Sequence, residues 1–534
     1  MVSWQCFVLR GRLRPPPFFF YMLKIFLIIS SLSVFSFFSD SFWGAKYFLT
    51  LLLLPLLIFK RGDRHLAALG ASPQAFFAFS VAEAGFLIVT ATIFIEGLNF
   101  FHFFRFLAPF CLYLYVSRGK EDGFTQTAIR LTGLIALLAL AQQITRYNPF
   151  DATIPYVTFG NPMYLGAWLA AILPFSADIL LGRRGDNRRR FAPVGGLSAP
   201  GGGLLFYEAF FAFSAGLAAL LLTRSQSAYM GFAAAMVYLL FKRRPRARIA
   251  VILTPAVILS AFLYFSFFKS GDIALSDSFK ARVNYYRTSL EMVKDNPLTG
   301  LGAGNYRGNY APFRLKADLP YHMSPQWAHC DILHFVCELG IFRALILLLF
   351  LISIMMKKIP PVSAPYKAGV TALVFTSFSA FPFQRISTIY LFFIFAGFIM
   401  REEAAGEGEH IPVKKAAAVM IGISAFIYAL LFGYAQINWK AGEKFLERGQ
   451  PREAAAAFEN AAPLIPSDYR IWLDIGRAKY RAGDIGGSLS AYRRCLSLYY
   501  DRDICYNLAI AFKAGGNKVM AEKFMKDFER LKAQ

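Results

Sequence analysis

The feature that most limits how this chain can fold is a series of long apolar runs separated by short basic segments. Hydrophobic residues make up 56% of the chain and charged residues only 17%, whereas an ordinary globular domain has about a quarter charged residues. This composition excludes a soluble enzyme and a disordered chain. A spanning helix needs about 20 mostly apolar residues. The apolar runs therefore predict an all-α, polytopic transmembrane helical bundle of about 12–13 spans. The spans are expected at 18–39, 44–59, 74–95, 98–116, 124–145, 162–181, 204–223, 228–241, 249–268, 330–356, 365–383, 387–400 and 413–435.

Basic residues gather between alternate spans, for example at 60–64, 183–190, 242–248 and 401–415. If the spans alternate, all of these clusters lie on one side, which the positive-inside rule makes cytoplasmic. The net charge of +24 is then a topology signal rather than a sign of nucleic-acid binding. The predicted organisation is a cytoplasmic N-terminus at 1–17, a membrane domain at 18–435 with a large external loop at 269–328, and an external domain at 436–534.

The external domain is charged and rich in alanine, with helical periodicity and an internal repeat. Glycines recur 34 residues apart, at 442 and 476 and again at 449 and 483. Residues Ala454, Phe458, Ala461 and Pro466 fall where a tetratricopeptide helix pair has small, aromatic and terminating residues. The segment therefore resembles about three degenerate tetratricopeptide (TPR) repeats, whose groove could bind a protein partner. The alternative is an unrelated bundle of helical hairpins.

The external loop is polar and aromatic, unlike the apolar runs on either side of it. Its first half predicts a helix on which Arg282, Tyr286 and Arg287 share one broad face. A turn follows, in which Pro297, Gly300 and Gly302 end the helix and allow backbone to approach a ligand closely. We expect this turn to expose amide N–H groups as a modest anion site. It is not a Walker loop, because no Gly-Lys-Ser/Thr follows.

A histidine stands where the loop passes into the next span. An imidazole at the outer end of a span titrates near neutrality and can accept a proton, which makes His329 a candidate general base. Asp331 could orient His329 or His334, and Glu338 follows on a similar face. The alternatives are a plain polar anchor at the membrane surface and a metal site of His322, His329, His334 and Asp331. The spacing of that set matches no metal motif.

Residues 282–340 resemble the signature region of the O-antigen ligase and polymerase superfamily. The shared pattern is an Arg, an aromatic residue four positions on, a Pro-Leu-x-Gly-x-Gly turn, and later a His followed by Glu-x-Gly. The chain departs from the pattern at Gln226, where Arg is common, at Cys330, where Asn is usual, and at Arg343, where Gly is usual. Three further segments resemble other parts of the family: Phe159–Ala167, Leu222–Ala228 and Phe381–Arg385.

The resemblance implies a bacterial glycosyltransferase in the cytoplasmic (inner) membrane. It moves a glycan from an undecaprenyl-diphosphate carrier to an acceptor hydroxyl on the external face, as in lipopolysaccharide and other cell-envelope polysaccharide synthesis. Guanidinium groups suit phosphate, and an imidazole suits proton transfer from a hydroxyl. The diphosphate leaves as a stable anion, so no metal or cofactor is expected, and a single displacement inverts the anomeric centre. The implied catalytic residues are His329 and Arg282, and the implied diphosphate-binding residues are Arg224, Arg282, Arg287 and Arg385. Supporting roles are implied for Asn161, Ser225, Gln226, Tyr286, Pro297, Gly300, Gly302, Asp331 and Glu338.

Two other classes of protein fit part of the pattern. A transporter or flippase of a lipid-linked glycan also needs an Arg-rich cavity, but it should carry polar residues along several spans. An assembly scaffold acting through its repeats leaves the loop at 269–328 without a function. Within the enzyme interpretation, ligase and polymerase share the donor chemistry. The acceptor could be a lipid A core, a growing glycan, a cell-wall polymer or a protein hydroxyl.

Overall fold

Helices are the only regular elements in the part of the chain that the computed structural model describes, so the predicted all-α class is confirmed. The described residues are 27–28, 31–32, 45–52, 85–86, 89–90, 100–117, 124–145, 156–182, 202–243, 277–316, 325–401, 415–466 and 468–532. From residue 100 onward the α-helices are α1 (Phe100–Ser117), α2 (Phe124–Thr145), α3 (Pro162–Leu181), α4 (Gly202–Leu222), α5 (Gln226–Arg243), α6 (Asp277–Asp295), α7 (Tyr306–Lys316), α8 (Asp331–Met356), α9 (Ala364–Ser377), α10 (Ile386–Met400), α11 (Lys415–Glu447), α12 (Pro451–Ala461), α13 (Tyr469–Arg481), α14 (Ile485–Leu498), α15 (Arg502–Ala514) and α16 (Lys518–Lys532).

Four of these helices are long and apolar enough to cross a membrane, namely α2, α3, α4 and α8, and α1 and α10 contain shorter apolar helices. The predicted spans at 124–145 and 162–181 agree with α2 and α3 at both ends. The span expected at 249–268 lies outside the described residues, and those at 18–39, 44–59 and 74–95 are described only in short pieces. The chain is therefore a multi-pass membrane protein.

Two predicted spans have the wrong length. The span expected at 365–383 ends as α9 at Ser377, and a separate 3-10 turn follows at Pro382–Gln384. Pro382 has no amide hydrogen and disfavours helical backbone at the preceding residue, which favours the break observed there. The span expected at 413–435 instead continues as α11 to Glu447. Its sequence contains no proline to stop it, so one unbroken helix joins the membrane domain to the region that follows.

Close helix packing in the bundle depends on glycine. Gly231 of α5 faces the backbone of Ala372 in α9, and Gly369 of α9 faces the backbone of Ala171 in α3. A Cβ at either glycine would overlap its neighbour, so these contacts are of the small-residue kind typical of membrane helices. At the far end of α3, a buried ion pair joins Asp178 to Arg243 of α5. The start of α3 therefore marks the end of the bundle opposite to this ion pair.

Residues 436–532, here called the repeat region, form three antiparallel helix pairs: the end of α11 with α12, α13 with α14, and α15 with α16. Each pair turns at a glycine in the left-handed region, at Gly449 (φ 72°), Gly483 (φ 83°) and Gly516 (φ 79°). In the first two pairs a further glycine lies against an aromatic ring, Gly442 against Phe458 and Gly476 against Tyr492. The 34-residue periodicity is thus a structural repeat, whereas the tetratricopeptide assignment stays a prediction.

Candidate functional site

The glycine turn of the external loop, residues 297–302, forms backbone hydrogen bonds with α8 at a break in that helix. Gly340 has φ 78° and ψ 168° inside this helix, so the helical hydrogen bonds are interrupted there. The turn supplies replacements, because the amides of Leu301 and Gly302 donate to the carbonyls of Cys337 and Glu338, each at 2.9 Å. In return, the carbonyl of Pro297 accepts from the amide of Ile341 at 2.8 Å. These amides are therefore not free to bind an anion, contrary to the expectation from the glycine pattern.

Gly300 is required at this junction for two reasons. Its φ of 68° lies in the left-handed region, and its own amide donates to the carbonyl of Asn296 at 3.1 Å. A Cβ at this position would also overlap the backbone of Glu338 and Gly340. Residues with a Cβ avoid this backbone conformation. The turn and the break in α8 therefore form one rigid unit below the start of that helix.

His329 is fixed at the start of α8 by three aromatic residues. The Tyr285 ring stacks on its imidazole with the centroids 5.2 Å apart, and Phe381 makes an edge contact at 4.9 Å. Tyr286 donates its hydroxyl hydrogen to the carbonyls of His329 and Phe378, both at 3.2 Å. Burial raises the pKa of Tyr286 to about 12, so this hydroxyl keeps its proton. The contacts stabilise a left-handed backbone at His329 (φ 55°) that costs a non-glycine residue about 1 kcal/mol.

The electrostatic surroundings keep His329 neutral. Burial is the larger cause and the positive charge of Arg282 the smaller one, and together they lower the pKa of His329 from 6.5 to about 4. Both effects disfavour the imidazolium ion. The Nδ1 atom is buried, with no hydrogen-bond partner among the described residues. The imidazole is therefore unprotonated at neutral pH, as a general base must be.

Arg385 connects three distant segments of the chain. Its guanidinium carbon lies 3.7 Å from the ring centroid of Tyr164 and 4.3 Å from that of Trp327, and it also donates a hydrogen bond to the Tyr164 hydroxyl. Stacking on two aromatic rings suits the flat, weakly hydrated guanidinium group. Trp327 in turn packs on Phe381 at 4.6 Å. The start of α3, the segment before α8 and the turn before α10 therefore meet at one end of the bundle, where His329 lies.

A buried polar network lies along the first two turns of α8. Asp331 accepts a hydrogen bond from the amide of Phe383 at 3.0 Å and interacts electrostatically with His334 and Arg105. His334 lies 3.4 Å from Glu338, which also accepts from the amide of Tyr306 at 3.1 Å. No such interaction of Asp331 with His329 is resolved. Of the two histidines that Asp331 could orient, the structure therefore favours His334.

Arg105 enters the same network from α1. It is buried, donates a hydrogen bond to the side chain of Gln384, and lies within electrostatic range of Asp331 and Glu338. The charge pattern of the sequence also predicts an ion pair with Glu83, a residue outside the described part of the chain, so that pairing stays a prediction. A cation is expensive inside a membrane protein unless polar groups compensate it. Arg105 thus stabilises the buried face of α8 rather than facing a substrate.

The structure gives local roles to the residues at the starts of α3 and α5. Asn161 caps α3, with its side chain accepting from the amide of Met163 at 2.8 Å. Ser225 is buried before α5, 3.2 Å from the Ser227 hydroxyl, whereas Gln226 is exposed. Capping side chains of this kind satisfy amides that would otherwise lack partners. These residues shape the site end of the bundle.

The other predicted arginines differ in their surroundings. Arg282 is half-buried and within electrostatic range of His329, whereas Arg287, a little more than one turn further along α6, is exposed. Arg224 is exposed in the turn between α4 and α5, with a left-handed φ of 51°. That turn packs on Gly166 through Thr223 and Ser225, so it lies at the same end of the bundle as Tyr164. Arg282 is the predicted arginine whose charge acts on His329.

Among the described residues, no group of three or more His, Cys, Asp or Glu side chains is arranged to hold a metal ion. His322, which belongs to the alternative metal set, lies outside them. His334 pairs with Glu338 in the buried network instead of joining His329. The described geometry therefore offers no support for a metal centre at this position.

The sequence did not single out Tyr285 or Trp327, which complete the surroundings of His329 and Arg385. Tyr285 is three residues after Arg282 and Tyr286 is four, so both lie on the same broad face of α6 as Arg282. Trp327 lies two residues before His329 in a polar aromatic segment. Such neighbours of a candidate base could have been inferred from helical spacing, but their ring contacts depend on the tertiary fold.

A family model matches part of the chain. The model described as O-antigen ligase matches residues 211–349, which run from α4 to α8 and include Arg224, Arg282 and His329. The chain carries an O-antigen ligase segment. No curated protein matches the chain. The match supports the coarse functional prediction of a glycan-transferring ligase or polymerase in a membrane, and the matched segment contains both His329 and Arg282.

Proposed function

We propose that this protein is a membrane glycosyltransferase with His329 as its general base. It transfers a glycan from an undecaprenyl-diphosphate carrier to an acceptor hydroxyl at the end of the bundle where His329 and Arg385 meet. The observation that carries the proposal is the half-buried, neutral imidazole of His329, held between Tyr285 and Phe381 and under the influence of the Arg282 charge. The O-antigen ligase segment supports the same chemistry.

The proposed reaction is a single displacement. The acceptor oxygen attacks the anomeric carbon of the donor sugar, the bond from that carbon to the diphosphate oxygen breaks, and its electron pair leaves with undecaprenyl diphosphate. The acceptor proton moves to His329, and the attack from the opposite side inverts the anomeric centre. Arg282 stabilises the negative charge that grows on the departing diphosphate, because a fixed cation is most effective where charge develops.

Binding of the donor also makes His329 a stronger base. In the free protein, Arg282 disfavours a proton on His329. A bound diphosphate brings negative charge next to Arg282, which cancels its repulsion of the imidazolium ion and raises the pKa of His329. His329 is then a better base when the leaving group is in place. This coupling disfavours protonation of the empty site and favours proton transfer in the loaded one.

The remaining arginines assist in binding the donor. Arg385, whose guanidinium group lies over the rings of Tyr164 and Trp327, can donate to the diphosphate oxygens. Arg224 and Arg287 are exposed and can meet diphosphate oxygens or lipid headgroups at the membrane surface. We place this end of the bundle on the external face of the bacterial inner membrane, and the TPR-like repeat region on the same side. The basic segments between alternate spans support this orientation.

The direct test replaces His329 in the full-length protein. His329→Ala in lipid nanodiscs with an undecaprenyl-diphosphate glycan should lower the transfer rate by roughly 100-fold or more, as expected for loss of a general base. His410→Ala is a matched control, since His410 is predicted in a cytoplasmic loop and should leave the rate unchanged. Transfer at the wild-type rate by His329→Ala would refute the proposed role.

A second experiment separates ligase from polymerase. In cells lacking the gene, accumulation of full-length polymer on the carrier would indicate a ligase, and accumulation of single repeat units would indicate a polymerase.

A further inference from the structure

Helix α7 lies between the candidate site and the repeat region and contacts both. One of its faces carries Tyr306 and Tyr310, which belong to the small core of the external loop together with Tyr285. Another face carries Arg307, Gly308 and Ala311, which contact the repeat region. The two faces alternate at helical spacing. Since two polar regions in contact must lie on one side of a membrane, this contact also agrees with the predicted common side of the loop and the repeat region.

On the site face, α7 supports the residues that surround His329. The Tyr306 hydroxyl lies 2.9 Å from that of Ser289 in α6, and both tyrosines of this face are fully buried. The Tyr310 ring meets the Tyr285 ring with the centroids 5.8 Å apart, and Tyr285 stacks on His329. Tyr310 thus packs against Tyr285, whose ring stacks on the candidate base His329.

On another face, α7 docks on the second helix pair and on the residue that follows it, Tyr499. The guanidinium carbon of Arg307 lies 4.6 Å from the ring centroid of Tyr469 and 4.5 Å from that of Tyr499. Gly308 lies so close to the Leu498 carbonyl that a Cβ would overlap it. Ala311 is fully buried in the core of the repeat region. A cation that contacts two adjoining aromatic rings, beside a close backbone contact, forms a specific interface.

Helix α7 cannot be stable by itself. It has 11 residues, among them Gly308 and Pro312 in its interior, and helices shorter than about 12 residues are marginal even with good helix formers. Its order therefore depends on the surfaces on either side of it. We propose that the repeat region is part of the catalytic unit and that Arg307 is a positioning residue. By packing on α7, the repeat region keeps Tyr310 and Tyr285 in place behind His329.

The inference depends on the proposed function only for its activity readout. Arg307→Ala in the full-length protein should increase hydrogen exchange at 306–316 and at 325–330, and should lower kcat, each by roughly tenfold. The KM for the donor should change little, because the proposed phosphate-binding arginines lie outside α7. Tyr469→Phe keeps the aromatic ring and should behave as the wild type. Arg477→Ala removes an exposed arginine of the repeat region that pairs with Asp474, and it is the matched control.

A second variant separates docking from helix propensity. Alanine favours a helix more than glycine does, so Gly308→Ala should stabilise α7 if only its own propensity mattered. In the docked structure the new Cβ meets the Leu498 carbonyl. We therefore expect Gly308→Ala to increase exchange at 306–316 and 325–330 and to lower kcat, as Arg307→Ala does.

The outcomes distinguish this inference from the proposed function. Increased exchange at 306–316 with unchanged exchange at 325–330 and unchanged kcat would overturn the positioning role. Unchanged exchange in Arg307→Ala and Gly308→Ala would overturn the docking role as well. A wild-type protein without transfer activity would instead overturn the proposed function, and the exchange comparison would still decide whether the repeat region orders the segment before α8.

Discussion

Replacing Arg282 with Gln should raise the pKa of His329. A guanidinium ion beside an imidazole repels the proton that would charge it, so its removal favours the imidazolium ion. Glutamine keeps a polar side chain in the half-buried position and removes only the charge. Because a general base must be unprotonated, the acid limb of the transfer rate should move to higher pH together with this pKa.

The size of the change follows from the surroundings of His329. Its pKa is lowered from 6.5 to about 4, and burial contributes more than Arg282 does. Arg282 therefore accounts for less than half of the fall, which sets the expected rise at about one pH unit or less, equivalent to about 1.4 kcal/mol. Salt screens a partly exposed charge, so the full rise should appear at low ionic strength and shrink as salt is added.

The assay is an NMR titration of protein labelled at the imidazole nitrogens. The chain has 6 histidines, and the signal that disappears in His329→Ala assigns the site. Arg287→Gln is the matched control, because Arg287 lies on the same helix but is exposed and has no resolved effect on His329. An unchanged His329 titration in Arg282→Gln, or an equal rise in Arg287→Gln, would refute the electrostatic argument and with it the charge coupling proposed for catalysis.

Two further predictions test the framework around His329. Asp331→Asn keeps an oxygen for the Phe383 amide and should retain transfer within a few-fold, whereas Asp331→Ala leaves that amide unpaired at a cost of about 1–3 kcal/mol. Equal losses in transfer assays of the two variants would show that the charge matters rather than the hydrogen bond. Gly340→Ala should lower the unfolding temperature more than Gly449→Ala, because both have left-handed backbone but only Gly340 has another backbone, at Leu298, in the path of a Cβ. Equal shifts in a thermal unfolding assay would contradict the proposed tight junction between the turn and α8.

Much of the fold could be read from the sequence because the membrane imposes a simple rule. Backbone polar groups in hydrocarbon must be satisfied within a helix, so apolar runs such as 124–145 and 162–181 translate directly into helices with the predicted ends. The same local logic found the 34-residue repeat, whose glycines occupy turns where only a residue without a Cβ is comfortable. His329 and Arg282 were likewise identified as candidates from their types and spacing.

The contacts among those elements depended on the tertiary structure. The glycine turn at 297–302 was expected to bind an anion, but its amides complete the broken helix at Gly340, a partner that lies about 40 residues away. The sequence likewise could not decide whether Asp331 orients His329 or His334, which lie two residues before it and three residues after it. His334 is about one helical turn along α8 and so shares a face with Asp331, whereas His329 precedes the helix. Local pattern thus predicted which segments are helices and which residues are candidates for chemistry. Only long-range packing, which follows from shape and burial rather than from spacing, decided which of those residues meet.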